Sequence, residues 1–249
     1  MEKERPAEPP KVLPASGRGR SVGGEFEPPY LHPDYVSTIA RAPRRQLVRL
    51  PPEWFHRTQG PAFGRVPVRP ADADLTRQHP GEPLGERIIV AGRVLDADGL
   101  PVAGTLVEVW QANAAGRYAD PADSHPAPLD PNFSGAGRCL TDAAGRYRFL
   151  TVKPGAYPWA NHLNAWRPAH IHFSLFGAEL GSRVVTQMYF PGDPLLRLDP
   201  IFQAIPDPRG QERLLARFDL ELTEPAWALG YRWDIVLRGR SATPREDGG

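Results

Sequence analysis

His170 and His172 stand two residues apart in the apolar run AHIHFSLF (169–176). Two is the period of a β-strand, so both imidazoles leave one face, and Ile171, Phe173 and Leu175 leave the other. Two imidazoles on one strand face can chelate a metal ion. They can equally stand on a polar, solvated face, and His-x-His alone is too short a motif to decide. The preceding sequence weighs on the choice. In YPWANHLNAWRPAHIHF, Tyr157, Trp159, Trp166 and Arg167 crowd just ahead of the strand. That cluster reads as a shaped pocket, with plain core packing as the competing account of the aromatics, above all of Trp166.

The available ligand chemistry narrows the metal. The one cysteine, Cys139, can form neither an internal disulfide nor a thiolate cluster, and reads as a small apolar residue. Residues 157–172 hold no carboxylate to complete, with the histidines, the facial triad that suits ferrous iron; acidic residues elsewhere stay open. A phenol of pKa ~10 is a poor ligand for most divalent ions at neutral pH. A hard trivalent ion can hold it as phenolate. Two tyrosines joined to the two histidines would therefore favour Fe(III).

Several segments must position these groups. Strand patterns appear at 85–96, 105–113, 145–151, 169–176, 183–190, 217–222 and 231–238, separated by turn signals such as Asp98-Gly99. In TLVEVWQAN, Leu106, Glu108 and Trp110 face one way, Val107 and Val109 the other. Residues 114–137 read as a long loop. With 30 Pro and 24 Gly in 249 residues, the expectation is an all-β fold, an antiparallel β-sandwich with long ordered loops. Residues 1–79 form the expected N-terminal arm: flexible and Pro-rich over 1–29, a short helix over 34–49 capped by Asp34 and broken near Pro43, then irregular. Residues 80–249 are the expected catalytic domain, with a second helix candidate at 208–216. The net charge of +1 gives no pull toward nucleic acid or membranes. No apolar run approaches the ~18 residues of a membrane span and no signal segment is visible, so a cytoplasmic location is expected.

The segments LHPDY (31–35), GERIIVAGRV (85–94), GRVLDADGLPVAGTLVEVWQAN (92–113), GRY (116–118), APLDPNFSGAGRCLTD (127–142), WRPAHIHF (166–173), TQMYFPGDPL (186–195) and YRWDIVLRG (231–239) together resemble the intradiol ring-cleavage dioxygenases. Within that family the resemblance is to the iron-bearing β chains of the protocatechuate branch, and it runs from about Leu31 to Gly239. It implies Fe(III), one per chain, held by Tyr118, Tyr157, His170 and His172. It implies that Arg167 and Gln187 stand near the reacting ring, and that Tyr35, Trp110, Trp159 and Ile201 line the substrate pocket. Packing is the competing account for Tyr35 and Trp110, and a satisfied buried strand residue for Gln187.

The implied reaction opens an aromatic diol with O2, between the two hydroxylated carbons, and leaves both oxygen atoms in a muconate-type diacid. Tyr157 is implied to leave the metal when substrate arrives and to take one of its protons. Arg167 is implied to stabilise developing negative charge. The resemblance also implies a hetero-oligomer with a homologous α chain. Catechol or hydroxyquinol 1,2-dioxygenase is the alternative enzyme, although those usually carry a longer helical N-terminal region. A non-catalytic transthyretin-like binding module is the alternative outside enzymes.

Overall fold

A computed structural model describes residues 32–38, 67–177 and 183–246. The proposed arm over 1–29 and nearly all of the helix over 34–49 lie outside the described residues; Ser37 and Thr38 are helical.

The eleven strands among the described residues are β1 (Arg87–Leu95), β2 (Leu106–Trp110), β3 (Ala136–Leu140), β4 (Arg146–Val152), β5 (Tyr157–Pro158), β6 (Trp166–Arg167), β7 (His170–Phe176), β8 (Val184–Tyr189), β9 (Arg217–Phe218), β10 (Leu229–Arg232) and β11 (Ile235–Val236). Two short helices follow β8: α1 (Pro200–Gln203) and α2 (Pro208–Glu212). One sheet gathers β4, β11, β10 and β9 around β1, and the other runs β3-β2-β7-β8. The β5–β6 pair stands apart as a hairpin. The sandwich expected from the strand patterns is present, with one difference. β1 takes β10 and β11 as parallel partners, whereas its pairing with β4 is antiparallel.

Alternation explains the core. Ile88, Val90, Val94, Tyr147 and Phe149 from the first sheet meet Val107, Val109, Ile171, Phe173, Leu175 and Met188 from the second in one buried cluster. Phe173 sits at its centre, with ring contacts to Tyr147 (5.7 Å), Phe149 (6.3 Å) and Trp233 (4.8 Å). Each such side chain contributes about 1.5–3 kcal/mol by leaving water. Leu75, fully buried, joins the same cluster, and its N–H donates to Leu150 O at 2.8 Å. Burial pushes the Cys139 thiol up to about 12, in keeping with an inert packing residue.

Three segments depart from their strand patterns. The 217–222 strand stops after Phe218, because Asp219 folds a turn: its carboxylate accepts from Leu222 N and its carbonyl from Thr223 Oγ1. The 231–238 strand is two strands, β10 and β11, split where Asp234 accepts from Arg93 N with its side chain. Here the Trp233 carbonyl crosses so close to β1 that a Cβ on Gly92 would lie 1.7 Å from it. The long loop ends early, in β3, which pairs with β2. No helix of the described residues is long and apolar enough to cross a membrane.

Candidate metal centre

Strand β7 presents His170 and His172 on the face of its sheet away from the sandwich core. That face is nonetheless buried: His170 is 2% exposed and His172 8%. Across the ladder His172 is paired with Trp110 on β2 and Gln187 on β8, and His170 with Tyr189. The Trp110 ring stacks on His172 at 4.7 Å with a 2° interplanar angle.

The proton on each imidazole can be located by its partners. His170 Nδ1 lies 2.8 Å from the Pro168 carbonyl, which can only accept, so Nδ1 carries the hydrogen. His172 Nδ1 lies 3.3 Å from the Glu246 carboxylate, which imposes the same tautomer. His170 Nε2 is then an acceptor, with Arg167 Nη1 at 3.1 Å and the Tyr157 hydroxyl at 3.4 Å, and it lies 3.2 Å from His172 Nε2. Burial, with Arg167 and His172 nearby, holds the His170 pKa well below its usual value, so it is a neutral imidazole at pH 7. A cation between the two Nε2 atoms could take both as donors.

Two tyrosines complete the group from different loops. Tyr157 opens the β5–β6 hairpin opposite Arg167, and its hydroxyl lies 3.4 Å from His170 Nε2. Tyr118 follows a tight loop built on Asn113, whose side-chain oxygen accepts from Ala115 N and Arg117 N, while Asp123 accepts from Tyr118 N. Gly116 allows the approach. It has φ of +79°, and a Cβ there would meet the Ala156 carbonyl at 2.2 Å. The Tyr118 and Tyr157 rings meet edge to face at 5.3 Å. The Tyr118 hydroxyl is buried without a hydrogen-bond partner. Burial, and then the Tyr157 phenol beside it, push its pKa well above the usual tyrosine value. A buried oxygen without a partner beside two imidazole nitrogens could form part of a metal donor set.

The described residues hold no group of three or more His, Cys, Asp or Glu able to bind a metal. Beside the two imidazoles stand the phenols of Tyr157 and Tyr118. Phenolate binding needs an ion acidic enough to displace the phenol proton.

Arg167 is the hub beside the donors. It is 2% exposed and its Nη1 lies 3.1 Å from His170 Nε2. Its Nη2 donates to Gln187 Oε1 (2.7 Å), Tyr189 OH (2.9 Å) and Asp199 Oδ2 (2.9 Å), and its Nε to Asp199 Oδ1 (3.3 Å). Its guanidinium carbon lies 5.6 Å over the Trp159 ring. Trp159 in turn contacts Tyr35 at 5.6 Å, and the segment carrying Tyr35 is tied down by Asn161, which accepts from Val36 N and donates to the Asp34 carbonyl. Ile201, in the first turn of α1, meets the cluster through Asp199, which accepts from its N–H. Tyr118, Tyr157, His170, His172, Arg167, Gln187, Trp110, Trp159, Tyr35 and Ile201 are thus linked into one region. Trp166 is different: at 41% exposed it is not a core residue, and it stands edge to face with His125.

Three residues here went unnoticed in the sequence. Asp199 is fully buried and is the anionic partner of Arg167. Tyr189 shares that network, and burial followed by the nearby Asp199 charge keeps its phenol protonated well above the usual range. Glu246 reaches His172 from the C-terminal segment. Asp199 had a signal, since Asp before Pro200 is a helix N-cap pattern. Tyr189 had one too, two residues beyond Gln187 on the same strand face.

Comparison with known proteins gives the family. A family model described as "Dioxygenase" matches residues 58–239, and one described as "Protocatechuate 3,4-dioxygenase beta subunit N terminal" matches 28–53. The chain is 63% identical over 221 residues to the protocatechuate 3,4-dioxygenase beta chain of Burkholderia cepacia, spanning 88% of this chain and 93% of that one. It is 32% identical to the protocatechuate 3,4-dioxygenase alpha chain of Pseudomonas putida, over 64% of this chain and 75% of the relative. Among solved structures, hydroxyquinol 1,2-dioxygenase from Pseudomonas putida DLL-E4 superposes with a TM-score of 0.53 at 25% identity, covering 74% of this chain and 69% of that one.

Proposed function

We propose, from the premise that this chain belongs to the intradiol ring-cleaving dioxygenase family, that it is the β chain of a protocatechuate 3,4-dioxygenase. It would open protocatechuate with O2 to 3-carboxy-cis,cis-muconate. The observation that carries the chemistry is the pair of Nε2 atoms 3.2 Å apart beside the orphaned Tyr118 hydroxyl. A non-catalytic binding module leaves that arrangement unexplained. The substrate rests on the 63% identity to a protocatechuate 3,4-dioxygenase beta chain, which outweighs the weaker likeness to catechol and hydroxyquinol 1,2-dioxygenases.

Tyr118, Tyr157, His170 and His172 would hold one Fe(III) per chain. Bound there, the ion would supply Lewis acidity and accept electron density from a chelated diol, so that O2 can attack the ring. The residues do the rest. Tyr157, on a two-residue strand, is the donor best placed to swing away and take a substrate proton. Arg167, held by Asp199, presents a fixed positive charge where negative charge develops on the ring. Trp110, Trp159, Tyr35, Ile201 and Gln187 would shape the pocket and exclude water. An α chain homologous to this one would complete a hetero-oligomer, a reading supported by the likeness to both chains of that enzyme. A cytoplasmic location accords with the reaction and with the absence of an apolar helix of spanning length among the described residues.

The test is direct. The chain, co-expressed with an α partner and loaded with iron, should be red-brown from tyrosinate-to-iron charge transfer, and protocatechuate should yield the 3-carboxymuconate. A yellow semialdehyde product, or full turnover by colourless protein, would overturn the assignment. Faster turnover of catechol or hydroxyquinol would redirect the substrate and leave the chemistry standing.

A further inference from the structure

The two histidines bring their Nε2 atoms to 3.2 Å, but they are held in place by different means. His170 is fixed by the carbonyl of Pro168, two residues away on its own chain segment. That restraint belongs to the backbone and travels with the strand. His172 is fixed by Glu246, 74 positions later, through a side chain. Trp110 stacks on the His172 ring and limits its tilt. A flat stack leaves the ring free to turn within its own plane, and it does not select which nitrogen carries the proton. Only the carboxylate on Nδ1 does both.

Glu246 is itself well placed. Its N–H donates to the Val185 carbonyl on edge strand β8 at 2.8 Å. Two residues earlier, the Pro244 carbonyl accepts from Thr186 Oγ1 at 2.7 Å. Thr243 is bound to Val236 of β11 by a reciprocal pair, N–H to carbonyl and N–H to Oγ1, both 2.9 Å. The segment therefore runs from the first sheet to the second and delivers its carboxylate to the outer face of β7.

We propose that Glu246 is a positioning residue for His172, so that the C-terminal segment is a working part of the metal centre. This rests on the iron-site reading above. A carboxylate on the far nitrogen of a ligating histidine fixes the ring and its tautomer, and its loss typically costs about 10–100-fold in metal affinity. Without Glu246, the His172 proton can move to Nε2 and the ring can rotate, and either change removes a donor.

The experiment compares wild type, Glu246→Ala and Glu246→Gln as full chains co-expressed with the partner chain. Three quantities are read: the half-time of iron loss to a soluble chelator, the position of the tyrosinate charge-transfer band, and the melting temperature of the iron-free protein. Glu246→Ala is expected to lose iron about 10–100-fold faster, with a displaced band and little change in the iron-free melt. Glu246→Gln, which can still accept from Nδ1–H, should recover most of the retention. If Glu246→Ala keeps the wild-type band and half-time, or only lowers the iron-free melting temperature, the residue is structural and the proposal is wrong. A wild-type chain that takes up no iron would instead defeat the metal-centre reading beneath it.

Discussion

Asp199→Ala tests how the charged hub is built. Asp199 is fully buried and faces Arg167 with both oxygens, at 2.9 Å to Nη2 and 3.3 Å to Nε; the two side chains are 0% and 3% exposed. The other partners of Arg167 Nη2, Gln187 and Tyr189, are neutral. The substitution therefore strands a guanidinium in the interior with no anion against it. Removing one partner of such a pair costs about 3–5 kcal/mol. For a domain of this size each kcal/mol shifts the melting temperature by about 2–4 °C, so the fall should be about 6–20 °C. It should be measured by calorimetry on iron-free protein, since bound metal would add its own stabilisation. In the iron-loaded enzyme the unpinned Arg167 would drift from its place 3.1 Å from His170 Nε2. A misplacement of ~1 Å costs up to about 10²-fold in turnover. Replacing both partners, Arg167→Met with Asp199→Leu, should recover stability while leaving turnover low, because no charge is then stranded. A single-variant shift under about 2 °C, or a double variant less stable than Asp199→Ala, would refute the reasoning.

Tyr118→Phe should abolish iron colour yet leave the iron-free protein at least as stable as wild type, because it removes a buried hydroxyl that has no partner and costs about 1–3 kcal/mol to keep dry; a clear loss of iron-free stability in a urea melt would show that the hydroxyl has a partner after all. Gly92→Ala should destabilise by at least about 1–3 kcal/mol, read as a lower urea midpoint, because its Cβ would run into the Trp233 carbonyl and push β10 and β11 off β1; a neutral result would mean that this crossing relaxes freely.

The sequence was most legible where a local period carries the information. The alternation in 169–176 correctly assigned Ile171, Phe173 and Leu175 to the core and both histidines to the opposite face. It was least legible where a side chain competes with the ladder. Asp219 ends one apparent strand and Asp234 splits another, and both look polar-alternating until their hydrogen bonds are seen. Parallel pairing of β1 with β10 and β11 was equally hidden, since it joins segments about 140 residues apart. Tyr118 could be found through family resemblance alone. Its position depends on Gly116 passing the Ala156 carbonyl, a contact that no spacing rule encodes. Glu246 carried no signal at all, being a charged residue near the end of a polar tail.

In the proposed iron centre, the division of donors between strand and loop bears on mechanism. His170 and His172 ride on β7, a seven-residue strand paired on both sides, so moving either would mean breaking a sheet. Tyr118 is locked by the Asn113 and Asp123 hydrogen bonds of its loop. Tyr157 belongs to a strand of two residues whose one ladder partner is β6. If one donor must leave so that a diol dianion can enter without charging a dry site, the energetic cost falls lowest on Tyr157. Its ladder neighbour is Arg167 itself, so a swing of the Tyr157 side chain takes place beside the fixed positive charge that favours a substrate losing its protons. In that proposed centre, the donor best able to depart and the charge that would reward departure sit on the two strands of one hairpin.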